Sequence, residues 1–425
     1  MRVRIQPSNI QGILTPPSSK SMMQRALAAA LLAEGTTVIH NPSRCDDAKA
    51  ATGIIMKMGA IIEDKSRDVI IRGAGMKPPG RIHCGESGLS LRMFSPIAAL
   101  NPKKVEVNGR GSLLQRPVLN ILEGLEALGV DCKNPGKGLL PIELKGGYKK
   151  EIAEIDGSLG SQFLTGLLMA LPCREENTVL QVKNLRSIPY VDMTLELLKD
   201  FGIEIEHQNY RQFTIQGGQN YQARRYNIEA DWSSAAPMMV AAALKGKVRM
   251  NNLKKDSLQA DKDILFALEA CGAKIHWEDN SLLIEHCELK AFELDATHCP
   301  DLFPPLVALA VHCDGISRIK GVHRLEHKES NRAKALIREF GKLGVEITLE
   351  GDEMVIPGGK LRGGLTHSHD DHRIAMALAI AALAAKYPVE IVDHECVAKS
   401  YPNFFRDLQK IGAGVAQFYF RGQFV

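Results

Sequence analysis

The 425-residue sequence is poor in aromatic side chains, which make up 5% of it and include two Trp. Few ring faces are therefore available to stack bases. A net charge of +4 is also too small to mark a binder of the nucleic-acid backbone. There is no Gly-x-x-x-x-Gly-Lys-[Ser/Thr] loop, so ATP is not implied, and GRGS at 109–112 lacks the surroundings of a dinucleotide site. The nine Cys (45, 84, 132, 173, 271, 287, 299, 313 and 396) include no Cys-x-x-Cys pair, which argues against a zinc knuckle or dithiol motif. Reduced thiols of a cytosolic protein are the simplest account. The longest Ala-rich apolar run, 374–385, is too short to cross a bilayer. The first residues, MRVRIQPSNI, alternate like a strand and lack an apolar signal core, so a cytoplasmic location is expected.

What is present is an ordinary globular composition, 45% hydrophobic and 24% charged, in a chain long enough for two domains. A pattern recurs in it: an amphipathic helix closed by Gly, a strand, a turn and a second strand. It starts at Asp46, Pro117, Tyr190, Gln259 and Asn331, and a truncated sixth copy, PNFFRDLQKIGAGVAQ, starts at Pro402. The spacing of about 70 residues marks a repeated supersecondary unit. Between the copies lie six Ala-rich helices with polar starts, among them SSKSMMQRALAAALLAEG, GSLGSQFLTGLLMALP and DDHRIAMALAIAAL. A helix apolar nearly all round is a buried helix. Each unit reads as strand, buried helix, strand, surface helix and strand pair: an α/β chain with sheets outside and Ala-rich helices inside.

The polar starts of the buried helices carry the functional signal. In TPPSSKSMMQR, Lys20 and Arg25 place cations where the helix dipole is already positive, which weakens the helix unless an anion binds. Ser161 and Gln162, Ser233 and Ser234, Asp301, and His372 with Arg373 occupy the equivalent positions in other copies. If these helix starts converge, they form a site for a small, highly charged anion. Arg116, Lys328, Arg332 and Lys399 add cations at the repeat junctions.

Asp301 and Glu329 are the candidate acid/base pair. Asp301 lies between Pro300 and a Leu-Phe-Pro-Pro run, a partly dry setting that can raise a carboxyl pKa. Glu329 stands beside Lys328 and Arg332. The plainer reading makes Asp301 a helix cap and Glu329 a first-turn charge. HSHDDHR at 367–373 resembles a metal-ligand cluster, but the adjoining Arg373 opposes a cation. We read its residues as caps and hydrogen-bond partners.

Together these motifs resemble a known family. Lys20-Ser21-x-x-x-Arg25, Gly85-x-x-Gly88-x-x-x-Arg92, Gln115-Arg116-Pro117, Gly160-Ser161-Gln162, Ser187-x-Pro189-Tyr190, Pro300-Asp301, Lys328-Glu329-Ser330-Asn331-Arg332, Asp371-His372-Arg373 and Ala398-Lys399 are similar, in order, to those of the 3-phosphoshikimate 1-carboxyvinyltransferases. The resemblance implies two similar domains of three βαβαββ units each, an inside-out α/β barrel. It places one domain at residues 1–17 and 229–425, the other at 18–228, and the active site in the cleft between them.

It also implies transfer of the enolpyruvyl group of phosphoenolpyruvate to the 5-hydroxyl of shikimate 3-phosphate, a step toward chorismate and aromatic amino acids. By motif, Lys20, Ser21, Arg25, Ser161, Gln162, Ser187, Tyr190, Asp301 and Lys328 would contact shikimate 3-phosphate. Lys20, Gly88, Arg116, Gln162, Arg332, Arg373 and Lys399 would surround phosphoenolpyruvate. Asp301 would be the base and Glu329 the acid, with Lys20 assisting. No metal or cofactor, no nucleic acid and no membrane partner is implied, and the chain would act as a monomer. The related UDP-N-acetylglucosamine 1-carboxyvinyltransferases carry a loop Cys and a Lys-Asn motif where this chain has Lys20-Ser21 and Gln115-Arg116-Pro117. Three positions depart from the commonest pattern: Glu86, Leu89 and Gly160 stand where Asn, Thr and Ser are frequent. A carboxylate at 86 would repel phosphoenolpyruvate unless turned toward a neighbouring cation.

Overall fold

The computed structural model describes residues 1–73 and 75–418. They form two compact units. A continuous unit spans Ser18–Glu229; a discontinuous one combines Met1–Pro17 with the chain from Ala230 onward. The continuous unit holds helices α1 (Lys20–Leu32), α2 (Asp46–Lys57), α3 (Gly88–Ala99), α4 (Leu119–Ala127), α5 (Gln162–Ala170) and α6 (Ile188–Asp200). The discontinuous unit holds α7 (Trp232–Lys245), α8 (Ile264–Ala270), α9 (Phe303–Ala310), α10 (Arg332–Lys342), α11 (His372–Ala382) and α12 (Phe404–Lys410). No helix of the described residues is long and apolar enough to cross a membrane.

The odd-numbered helices are the Ala-rich ones and are buried almost throughout; α9, α11 and α3 have no exposed residue. Small side chains let them approach closely. A Cβ on Gly166 of α5 would come within 2.8 Å of the Arg92 and Met93 carbonyl oxygens of α3, nearer than real Cβ atoms come. The even-numbered helices bury one face each, as their amphipathic sequences require.

Each unit has three four-stranded sheets, and all six sheets share one pairing scheme. An edge strand runs parallel to its neighbour, joined to it through a buried helix in four of the six, and two antiparallel strands follow. Ile152–Asp156 lies parallel to Thr178–Lys183, for example, with Gln212–Ile215 and Ile205–Gln208 beyond. Three sheets borrow a strand from far along the chain. Arg225–Asn227 pairs with Gly35–His40, and Ile10–Leu14 with Gly246–Asn251. The N-terminal strand Arg2–Gln6 inserts between Val389–Val392 and Gly414–Phe418. The copy that is truncated in sequence after Pro402 is therefore completed by the first strand of the chain. This is why the first 17 residues belong to the discontinuous unit.

Candidate active site

In the continuous unit, the first turns of three buried helices meet. Ser19 caps α1 by accepting from the Met22 N–H, and Ser87 caps α3 by accepting from the Ser90 N–H. The Ser87 and Ser90 hydroxyls both donate to Gln24 Oε1 of α1, at 3.0 and 2.8 Å, which fixes the two starts side by side. Lys20 lies at the mouth of α1, with its ammonium 3.0 Å from Asp47 Oδ2 on α2. Arg25 is fully buried. Its guanidinium donates to Thr194 Oγ1 (2.9 Å), the Ser21 carbonyl (2.9 Å), Thr165 Oγ1 (3.3 Å) and the Tyr190 carbonyl (3.4 Å), so it pins α1, α5 and α6 together. Burial draws it down to about 10, still cationic at neutral pH.

Ser161 precedes α5 and is buried, with Gln162 opening the helix. Ser187 precedes α6 in the left-handed region, at φ +58°. Gly88 opens α3 against the Arg116 guanidinium, and a Cβ there would collide with it. Glu86 does not face the helix mouth as an open carboxylate; its Oε2 accepts from the Ser112 N–H and hydroxyl, both at 3.3 Å. Gly160 has φ +129°, a conformation that disfavours the Ser common at that position.

In the discontinuous unit, the residues gather around Arg332, whose side chain is 1% exposed. Its three nitrogens reach three carboxylates: Nε to Asp371 Oδ2 at 2.8 Å, Nη1 to Asp301 Oδ1 at 2.6 Å and Nη2 to Glu329 Oε2 at 2.5 Å. Asp301 is also held by Arg373 Nη2 at 2.9 Å and faces the Lys328 ammonium at 3.8 Å. Asp371 caps α11 through the Arg373 N–H and accepts from the Ser330 hydroxyl. Lys399 reaches the Asp370 carbonyl at 2.7 Å and its carboxylate at 2.9 Å. Ser233, in the first turn of α7, donates to the buried Asp261, and its carbonyl accepts from Arg373.

Neither plain reading of the acid/base pair describes these contacts. Asp301 lies in a 3-10 turn, Pro300–Leu302, and spends its oxygens on Arg332 and Arg373. Glu329 precedes the true cap of α10, Asn331, which accepts from the Lys334 N–H. The expected rise in the Asp301 pKa is also reversed. Burial pushes it up, but Arg373, Lys328 and Arg332 outweigh burial and hold it well below the usual carboxylate range. Burial draws Lys328 down to about 8 against the attraction of Asp301. Asp261 rises to about 7, through burial first and then the negative charge of Asp301.

The HSHDDHR segment divides its labour. Asp371 caps, Asp370 holds Lys399, and His369 and His367 bind the buried Glu339. Among the described residues no group of three or more His, Cys, Asp or Glu is arranged to hold a metal ion. Sequence reasoning missed Asp47 and Asp261, each of which lies far along the chain from the cation or hydroxyl it binds, and it read Asp370 only as one of the caps and hydrogen-bond partners of HSHDDHR. The acidic first turn of α2, Asp46-Asp47, was the one local signal available for the first.

Comparison with known proteins adds an independent line. The sequence model of the family EPSP synthase (3-phosphoshikimate 1-carboxyvinyltransferase) matches residues 5–408. Relatives called 3-phosphoshikimate 1-carboxyvinyltransferase include one from Clostridium botulinum (strain Eklund 17B), 39% identical over 420 residues and covering 96% of this chain and 97% of its own. Another, from Clostridium acetobutylicum, is 37% identical over 420 residues, with 97% and 98% covered. A solved EPSP synthase structure from Acinetobacter baumannii superposes with a TM-score of 0.83 at 26% identity, covering 98% of this chain and 100% of that one.

Proposed function

Because this chain belongs to the EPSP synthase (3-phosphoshikimate 1-carboxyvinyltransferase) family, we propose that it transfers the enolpyruvyl group of phosphoenolpyruvate to the 5-hydroxyl of shikimate 3-phosphate, releasing phosphate. The observation that supports this best is the sharing of Arg332: the proposed base, Asp301, and the proposed acid, Glu329, are tied to one guanidinium. Glu329 protonates the methylene carbon of phosphoenolpyruvate, which leaves a cationic carbon beside its carboxylate. The 5-hydroxyl oxygen attacks that carbon while Asp301 takes its proton. The tetrahedral adduct then expels phosphate and returns a methyl proton to the Glu329 carboxylate, restoring the methylene.

A carboxylate held down by three cations is a weak base at rest. Anionic substrates neutralise Lys328, Arg332 and Arg373, release that hold and raise the basicity of Asp301 when it is needed. In this reading shikimate 3-phosphate engages Lys20, Ser21, Arg25, Ser161, Gln162, Ser187, Tyr190, Asp301 and Lys328. Phosphoenolpyruvate engages Lys20, Gly88, Arg116, Gln162, Arg332, Arg373 and Lys399. The cations stabilise the departing phosphate. The protein works as a cytoplasmic monomer, which sedimentation at working concentration tests. Asp301→Ala tests the chemistry: phosphate release is lost while substrate binding stays measurable, and unaffected turnover refutes the assignment.

A further inference from the structure

The turn before α11 is built on two successive residues in the left-handed region, His369 and Asp370, both at φ +55°. His and Asp tolerate this region better than most side chains, yet each such residue costs about 1 kcal/mol or more and persists only where its surroundings over-determine it. Here the surroundings are explicit. His369 Nε2 lies 2.7 Å from Glu339 Oε1 and, because a carboxylate only accepts, must carry the proton. The His369 N–H donates to His367 Nδ1 at 2.8 Å, which leaves the His367 Nε2 proton to face Asp393 Oδ2 at 3.0 Å. The His367 N–H donates to the other Glu339 oxygen at 2.9 Å, and the Asp370 N–H to Ser368 Oγ at 3.2 Å. Glu339 is completely buried on α10, the helix whose first residue is Arg332. Burial raises its pKa, but the bonds from Lys342 and His369 outweigh burial and keep it ionised.

What the strained turn presents is the Asp370 carbonyl and carboxylate, both on the Lys399 ammonium, and, one residue on, Asp371 on Arg332. We propose that the His369–Glu339 pair is a positioning device that locks the 369–370 turn and so sets Lys399 for phosphoenolpyruvate. This rests on the reading of Lys399 as a phosphoenolpyruvate ligand. Lys399 is a movable point charge, and without the lock the turn relaxes to ordinary backbone angles and the two oxygens that aim the ammonium are lost.

Steady-state phosphate release, with each substrate varied in turn, tests this. His369→Gly removes the imidazole together with the strain at 369, so the effect it reads is that of the lost His369–Glu339 bond on a turn still strained at Asp370. It raises KM for phosphoenolpyruvate by about five- to thirtyfold, with KM for shikimate 3-phosphate within about twofold of the parent. His369→Gln restores a side-chain donor and recovers most of the loss. Should His369→Gly fail to fold, His369→Asn, which tolerates the same angle and is shorter than imidazole, takes its place. Lys399→Met is the control and raises the same KM at least as much. A normal KM in His369→Gly beside a raised one in Lys399→Met overturns the positioning role and leaves the reading of Lys399 standing. A normal KM in Lys399→Met overturns that reading and the proposal with it. Equal changes in both KM values and kcat, with a lowered Tm, reduce the pair to a structural one and overturn the proposal.

Discussion

Replacing Arg332 by Met removes the one cation shared by Asp301, Glu329 and Asp371 and leaves three carboxylates facing a buried thioether. The parent side chain is 1% exposed and Asp371 is wholly buried, so solvent cannot replace the cation at Asp371, whereas Asp301, 27% exposed, keeps Arg373 and Lys328. Breaking a buried ion network by deleting one partner costs about 3–5 kcal/mol, chiefly because the remaining charges are uncompensated. For a unit of about 200 residues this corresponds to a fall in Tm of about 6–20 °C. The sign of the pH dependence follows from the same cause. The repulsion exists only while the carboxylates are ionised, so the gap between parent and variant is widest above about pH 6 and narrows toward about pH 4. Urea unfolding of both proteins across that range measures it. A loss below about 1 kcal/mol, or a gap that stays constant into acid, would show that Arg332 is not the electrostatic centre of this site.

Asp261→Asn keeps an acceptor for Ser233 and removes a carboxyl that folding raises from 3.8 to about 7. A raised carboxyl destabilises the fold only above its unfolded pKa, and fully only above its folded one. The variant is therefore more stable than the parent at about pH 8, by up to about 4 kcal/mol, and equal to it near pH 4; a deficit at pH 8 contradicts this. Lys328, at about 8, imposes an alkaline limb on kcat/KM near that pH, and Lys328→Arg moves the limb upward; an unmoved limb assigns it to another group. Gly88→Ala drives a methyl group into the Arg116 guanidinium and raises KM for phosphoenolpyruvate by about tenfold, with a much smaller effect on shikimate 3-phosphate; equal effects on both would place Gly88 away from the donor substrate.

The repeats, the buried Ala-rich helices and several helix starts were legible because they depend on neighbours within one or two turns. Serine before Lys20 and the capping Asp before His372 are such cases. The partners of the functional cations were not legible for the opposite reason. Lys20 meets Asp47 across 27 residues, Lys399 meets Asp370 across 29, and Arg332 meets Asp371 across 39, distances that no local periodicity spans. The completion of the last sheet by Arg2–Gln6 is the extreme case, since the strand and its partner lie at opposite ends of the sequence. Asp301 was misjudged in direction for a related reason. Its prolines and Leu-Phe neighbours advertise dryness, whereas the charges that decide its pKa come from residues 328, 332 and 373. Local composition can show that a carboxyl is dry without showing what surrounds it.

The most direct test of the central claim is phosphate release from phosphoenolpyruvate by the purified protein, with shikimate 3-phosphate or UDP-N-acetylglucosamine as acceptor. The account predicts rapid release with shikimate 3-phosphate and none above background with the nucleotide sugar. Release with the nucleotide sugar, or none with shikimate 3-phosphate, would contradict it.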